Sequence, residues 1–323
     1  MDIKQTLENV EKTLGVPTYI QGAILTRENL DSFINRLTYK ETPVRDRLPR
    51  KTGSGLAASW NVLTAMGVGT APFAEGTTPT EDATTYERRS AIYKELGKTK
   101  SITDRMLAAG KSFIELESEL TEVSLRETIQ DEEQLIITGD TAVSALQFDG
   151  LKKYITGANI IDDDNNALGF RTDLLEQGIE YLVRTYAVRA TAILVGYGMK
   201  RVINQSLIGD VRVNLDQTNT VSTGVDVGFY QSMIGKLPFV ATFAIAADSV
   251  SYAGFSVEDI YIITEKHSGQ DVIYMEDLYG LWKSMLDRTG AAIKFMVTEA
   301  TVFVCRADEF QVAITNVRTN EAV

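Results

Sequence analysis

The chain has 323 residues, with 32 lysines and arginines against 44 aspartates and glutamates, so its formal net charge is −12. One cysteine (Cys305) excludes an internal disulfide, and one histidine (His267) excludes Cys₄ and Cys₂His₂ zinc sites and supports no particular Ser-His-Asp arrangement. An apolar content of 44% with 24 glycines and 6 prolines excludes a wholly disordered or collagen-like chain.

Met1 to Val10 alternates charged and apolar residues, unlike a signal peptide, and no apolar run of 18 residues predicts a transmembrane helix. The acidic balance argues against an overall nucleic-acid-binding coat while leaving room for a local basic face. Residues 1 to about 40 read as thin helices. Leu7, Val10 and Leu14, then Leu30, Phe33, Ile34 and Leu37, give narrow apolar faces that fit either an arm laid over a neighbour or an ordinary helical cap.

Arg36, Lys40, Arg45, Arg47, Arg50 and Lys51 face only Glu41 and Asp46, a local charge of 6 − 2 = +4, and Pro43 and Pro49 prevent a long helix. Such a stretch suits phosphates or an acidic neighbouring subunit; the alternative is a solvated face whose ion pairs contribute little. Residues 53–96 read as a long two-stranded excursion, with strands at 59–64, 85–86 and 91–93 around a Gly/Pro/Thr-rich segment from Gly67 to Thr80. Its glycines lack the P-loop spacing, and a free hairpin of this kind needs a partner surface.

Phe113, Ile114, Leu116, Leu120, Val123, Leu125 and Ile129 predict a long helix over 106–138; a helix of about 30 residues spans about 45 Å at 1.5 Å per residue. From Glu115 to Asp140 nine acidic residues face one arginine, Arg126, a charge of 1 − 9 = −8. A solvated face accounts for them best, a docking site for a neighbour's basic stretch second. Acid–base or metal chemistry lacks a nearby histidine or nucleophile.

Residues 148–255 read as a mixed α/β unit. Leu175, Ile179, Leu182 and Tyr186 mark an amphipathic helix, 191–195 and 238–243 strands, and 199–207 a short helix. Asp162, Asp163 and Asp164 and the run 216–228 read as exposed loops, without the twelve-residue calcium-loop pattern. Residues 257–320 turn to strands at 259–263, 292–305 and 310–317, joined through 306–309. Cys305 reads as a small core filler and His267 as a surface residue of the polar turn 265–269. The sequence has no GxSxG, HExxH, CxxC or dinucleotide fingerprint. A carboxylate-dependent hydrolase using Asp162 to Asp164 or the 115–133 cluster is the remaining enzyme reading.

Three stretches carry a resemblance. They are Thr42 to Arg50 leading into Ser59-Trp60-Asn61 and Pro72 to Gly76; Asp131 to Asp140 followed by Phe148-Asp149-Gly150-Leu151; and Glu276 to Leu281 with the terminal β run. In this order they resemble the major capsid proteins of tailed double-stranded-DNA phages, the Hong Kong-type lambdoid capsid fold also used by encapsulins. The resemblance implies an α+β fold with an N-terminal arm (1–53), an extended β-hairpin loop (54–96), a peripheral domain (97–147 and 256–323) with spine helix 106–138, and an α/β axial domain (148–255).

It also implies a non-enzymatic virion protein, without cofactor, assembled in the host cytoplasm into pentamers and hexamers of an icosahedral shell. Scaffolding and portal proteins, a decoration protein and non-specifically contacted double-stranded DNA are the implied partners, with no membrane. An encapsulin-type shell around a cargo enzyme is the alternative. Assembly contacts are expected at Arg36, Lys40, Arg45, Arg47, Arg50 and Lys51, at Trp60, Phe73 and Glu75 on the loop, and at Glu119, Glu122, Asp131 and Glu132 on the helix. Some relatives crosslink a loop lysine to a neighbour's asparagine; here 64–85 contains no lysine, and Lys94 and Lys98 lie at its base. No autocatalytic crosslink is expected.

Overall fold

Pro43 opens the first helix among the described residues, where its missing N–H would be unpaired in any case. The computed structural model describes residues 40–66, 72–78, 81, 83–110, 115–163, 170–207, 227–246, 248–252, 255–288 and 290–319. The expected helical arm over 1–39, with Arg36, lies outside the described residues, as do Gly67 to Ala71, Phe113, Ile114, Asp164 and most of the 216–228 run.

Helix α1 (Pro43–Arg47) leads into the short strand β1 (Arg50–Thr52). Strands β2 (Ala57–Ala65) and β3 (Thr85–Ile92) form an antiparallel hairpin with Ala57 opposite Ile92, Trp60 opposite Arg89 and Leu63 opposite Tyr86. β3 is thus continuous across 85–92. Strand β4 (Lys94–Thr103) follows, then helices α2 (Asp104–Gly110) and α3 (Leu116–Thr138). The helix expected over 106–138 is therefore two helices, and α3, at 23 residues, spans about 35 Å.

Next come α4 (Leu151–Tyr154), β5 (Ile160–Asp162), α5 (Thr172–Tyr186), β6 (Ala192–Gly196) and α6 (Tyr197–Leu207). Strands β7 (Phe229–Ser232), β8 (Gly235–Thr242), β9 (Asp248–Tyr252) and β10 (Phe255–Ile263) precede the small pair β11 (Lys266–His267) and β12 (Gln270–Asp271). Two 14-residue strands, β13 (Ile273–Leu286) and β14 (Ala292–Cys305), and then β15 (Val312–Arg318) complete the chain.

Contacts divide the chain into two units. In the smaller (98–126 and 283–297), Ile102, Leu116, Phe295 and Val297 are buried. Thr103 Oγ1 accepts from the Met106 N–H at 3.3 Å. Lys283 Nζ donates to Glu117 at 2.6 Å and sits 4.6 Å from the Phe295 ring centre. Arg288 pairs with Asp104.

The larger unit (40–97, 127–282 and 298–323) holds a seven-stranded mixed sheet in the order β5-β15-β10-β6-β8-β7, with β9 also on β10. All five residues of β6 are buried, as a central strand covered on both faces requires. Leu175, Ile179 and Leu182 of α5 pack with Ile193, Ile262 and Val312 in one apolar cluster. Ala187, at φ 54°, closes α5 in the left-handed conformation. A second cluster joins Val44, Leu48, Trp60, Ile136, Phe148, Tyr274, Phe303 and Cys305.

A four-stranded sheet has the order β1-β13-β14-β4. β1 pairs in parallel with β13, Arg50 opposite Met275 and Thr52 opposite Asp277. Two glycines fix the turn after α3. The Gly150 N–H donates to the Gly139 carbonyl at 2.8 Å, and a Cβ on Gly139 would stand 2.3 Å from the Phe148 carbonyl oxygen.

Cys305 is fully buried, as a core filler should be, and burial pushes its thiol up. Two local expectations change. His267 is a half-buried strand residue whose ring meets Phe310 at 5.3 Å, and Ser268 and Gly269, both at positive φ, make the turn. Asp163 is buried, because Arg171 lies 3.1 Å away and supplies its counter-charge.

Candidate assembly surfaces

Residues 40–53 form a strap across the larger unit. Val44 and Leu48 enter its apolar core. The Pro49 carbonyl accepts from the Met275 N–H at 2.9 Å, and the Gly53 N–H donates to the Asp277 carbonyl at 2.8 Å. The basic side chains all find partners in their own chain. Arg45 and Arg50 both donate to Glu132, and Arg50 Nη1 also reaches both Asp277 oxygens at 3.0 and 2.9 Å. Arg47 pairs with Glu265, and Lys51 lies 2.8 Å from Asp271 and over the Tyr274 ring. Lys40 Nζ sits 4.7 Å from the Phe243 ring centre.

This corrects two readings. The acidic face of α3 is not wholly solvated: Glu132 and Glu133 have no exposed surface. The basic stretch and the acidic helix, expected to meet across subunits, meet within one chain. A buried carboxylate needs a close cation or several donors, and the strap supplies both. Glu133 accepts from the Val44 and Arg45 N–H groups at 3.2 and 2.7 Å and from Thr242 Oγ1 at 2.7 Å.

A third carboxyl completes the cluster. Glu299 on β14 is fully buried, its two oxygens have no hydrogen-bond partner, and its nearest cation is Arg50 Nη1 at 3.9 Å. Burial first, then the Glu132 charge, pushes Glu299 up to about 8, against the pull of Arg50 and Arg45. Burial also raises Glu133, against its hydrogen bonds from Thr242 and the strap backbone. Burial alone would lower Arg50, but Glu132 and Asp277 outweigh it and hold it raised.

The hairpin has a different character along its length. At its base Ala58 and Trp60 are buried in the unit's own core. Trp60, expected as an assembly contact, is thus a core residue: alternation along β2 turns its indole inward. Arg89, directly opposite, is tied to Asp308 and Glu309. Farther out, Leu63, Met66, Phe73 and Tyr86 are exposed. Phe73 and Glu75 lie on the exposed segment 72–78, where the Thr77 N–H donates to the Ala74 carbonyl at 3.1 Å. Lys94, at the hairpin base, donates to the Ala145 carbonyl at 2.7 Å.

Of the other expected contacts, Glu119 and Glu122 are half-buried on α3, with Arg126 3.1 Å from Glu122, and Asp131 is exposed. Sequence reasoning missed Asp277, Glu299, Thr242 and Thr301. A signal for Glu299 exists: it shares the phase of Phe295, Val297, Thr301, Phe303 and Cys305, which are all buried. Among the described residues no group of three or more His, Cys, Asp or Glu side chains could hold a metal ion, and no helix is long and apolar enough to cross a membrane.

A family model described as SU10 major capsid protein matches residues 12–318. The chain belongs to this major capsid protein family. It is a structural, shell-forming protein with the α+β fold of phage capsids and encapsulins. No curated protein matches its sequence.

Solved structures of similar fold include the SrpI encapsulin of Synechococcus elongatus PCC 7942, at 10% identity and a TM-score of 0.65, with 95% of this chain and 99% of that one covered. The capsid of a native GTA particle gives 13% identity and a TM-score of 0.65, covering 94% and 99%. A chain from the structure of the phage G major capsid and decoration proteins gives 11% identity and a TM-score of 0.58, covering 93% and 98%.

Proposed function

We propose that the chain is the major capsid protein of a tailed phage, assembling as pentamers and hexamers into an icosahedral shell around double-stranded DNA. The observation that carries this reading is the major capsid family match over 12–318. The hairpin supports it, because exposed Leu63, Met66, Phe73 and Tyr86 gain burial only against another chain. In this reading residues 1–53 are the arm, 54–96 the extended loop, 97–147 and 256–323 the peripheral domain with α3 as its spine, and 148–255 the axial domain. A scaffolding protein guides assembly, a portal occupies one vertex, a decoration protein adds to the outer face, and packaged DNA is contacted without sequence preference. Lys40, Phe73, Glu75, Glu119, Glu122 and Asp131 remain candidate contacts between subunits.

Electron microscopy of the protein expressed with a scaffolding protein should show closed shells, and a monomer under all assembly conditions would contradict the reading. A second reading is an encapsulin-type compartment, favoured by the likeness to the SrpI encapsulin, whose TM-score equals that of the GTA capsid. Nuclease-resistant double-stranded DNA inside native particles supports the first reading; a co-purifying enzyme in DNA-free shells supports the second. A denaturing gel of mature particles should show single-chain bands, since 64–85 has no lysine to crosslink.

A further inference from the structure

The strap is fastened over a cluster whose charges do not balance. Arg45 and Arg50 bring two positive charges; Glu132, Asp277 and Glu299 bring three carboxyls. These four partners face Glu299 from α1, β1, α3 and β13. Glu132 and Asp277 occupy the guanidinium groups at hydrogen-bonding distance. Asp277 also accepts from Thr301 Oγ1 at 2.7 Å. Glu299 is left with no donor and no exposed surface.

We infer that the Glu299 carboxyl is a proton-held latch: with its proton the cluster is neutral and the strap stays seated on α3 and β13, and release of that proton to solvent base loosens the strap. An ionised Glu299 would be a third buried carboxylate sharing two arginines, a state that water or a strap displacement must relieve. β1 suits such release, being a three-residue strand at the sheet edge that, among the described residues, pairs with β13 alone. The sign follows from proton linkage. A carboxyl held near 8 when buried returns to an ordinary value, near 4.5, when the strap opens, so opening releases a proton. The strap is held most firmly near pH 5 and loosens as pH rises to about 8, beyond which both states are ionised and the dependence levels off. Glu133, which grips the Val44 and Arg45 N–H groups from α3, is shifted in the same direction and adds its own slope.

Hydrogen exchange of the full chain, corrected for intrinsic rates, reads this at the Gly53 and Met275 amides, which bridge strap and β13. Their protection should fall by up to about tenfold per pH unit between pH 5 and pH 8. Glu299→Gln should remove most of that slope, and adding Glu133→Gln should remove the rest. An unchanged slope in Glu299→Gln, or a flat wild-type profile, would overturn the latch. Should Glu299→Gln fail to fold, infrared spectra of the wild-type protein decide: a protonated-carboxyl band persisting at pH 6.5 and lost by pH 9 supports it, and no such band at pH 6.5 overturns it.

Discussion

The strap and the hairpin lie side by side in the sequence and solve opposite problems. The strap, 40–53, is rich in charge, yet every cation in it is matched within the chain. The hairpin, 57–92, is anchored by Ala58 and Trp60, and its outer half leaves Leu63, Met66 and Tyr86 uncovered. Charge that looks intended for a neighbour can belong to the protomer's own core, because burying a carboxylate without a partner costs several kcal/mol. Apolar surface has no such need for an internal partner and can wait for a second chain.

Substitutions in the strap should therefore act on stability, and those in the outer hairpin on assembly. The largest effect is expected from Arg50→Ala, which leaves buried Glu132 and its neighbours short of a cation. Chemical denaturation should show a loss of about 3–5 kcal/mol. Next comes Gly139→Ala at the end of α3, where the new methyl would meet the Phe148 and Leu135 carbonyl oxygens at 2.3 and 2.6 Å. A loss of roughly 3 kcal/mol is expected, and an unperturbed denaturation midpoint would show that this turn can relax.

Glu299→Gln reverses the direction. Raised by burial, Glu299 favours the folded state below its unfolded value, and that contribution disappears as pH climbs through about 8. The variant should be more stable than wild type by up to roughly 4 kcal/mol at pH 8, with the gap closing near pH 5. Equal pH profiles for the two proteins would place Glu299 in contact with water.

Much of the β structure is legible in the sequence, since 292–305 is both the expected and the observed span of β14. The α5 stripe of Leu175, Ile179 and Leu182 is equally direct. Helix α3 is harder to read. Its buried stripe runs through Ser124, Thr128, Glu132 and Ile136 at four-residue spacing, so a search for apolar periodicity misses three of the four. The partners of Glu132 lie 87 and 82 residues away, and Asp277 lies 227 residues from Arg50. Only the topology brings β1 beside β13, and no local pattern announces it. Trp60 misleads for a related reason: a large aromatic on a long hairpin fits a neighbour's pocket as well as its own core.

The smallest effect on the isolated protomer, and the most telling, is expected from Met66→Ser with Phe73→Ser on the exposed outer hairpin. Surface changes of this kind alter stability by no more than about 0.5 kcal/mol. Denaturation of the variant protomer, paired with electron microscopy under shell-forming conditions, should give a wild-type midpoint and no closed shells. Normal shells from the variant, or a protomer that unfolds, would contradict the division between a self-sufficient strap and a hairpin made for neighbours.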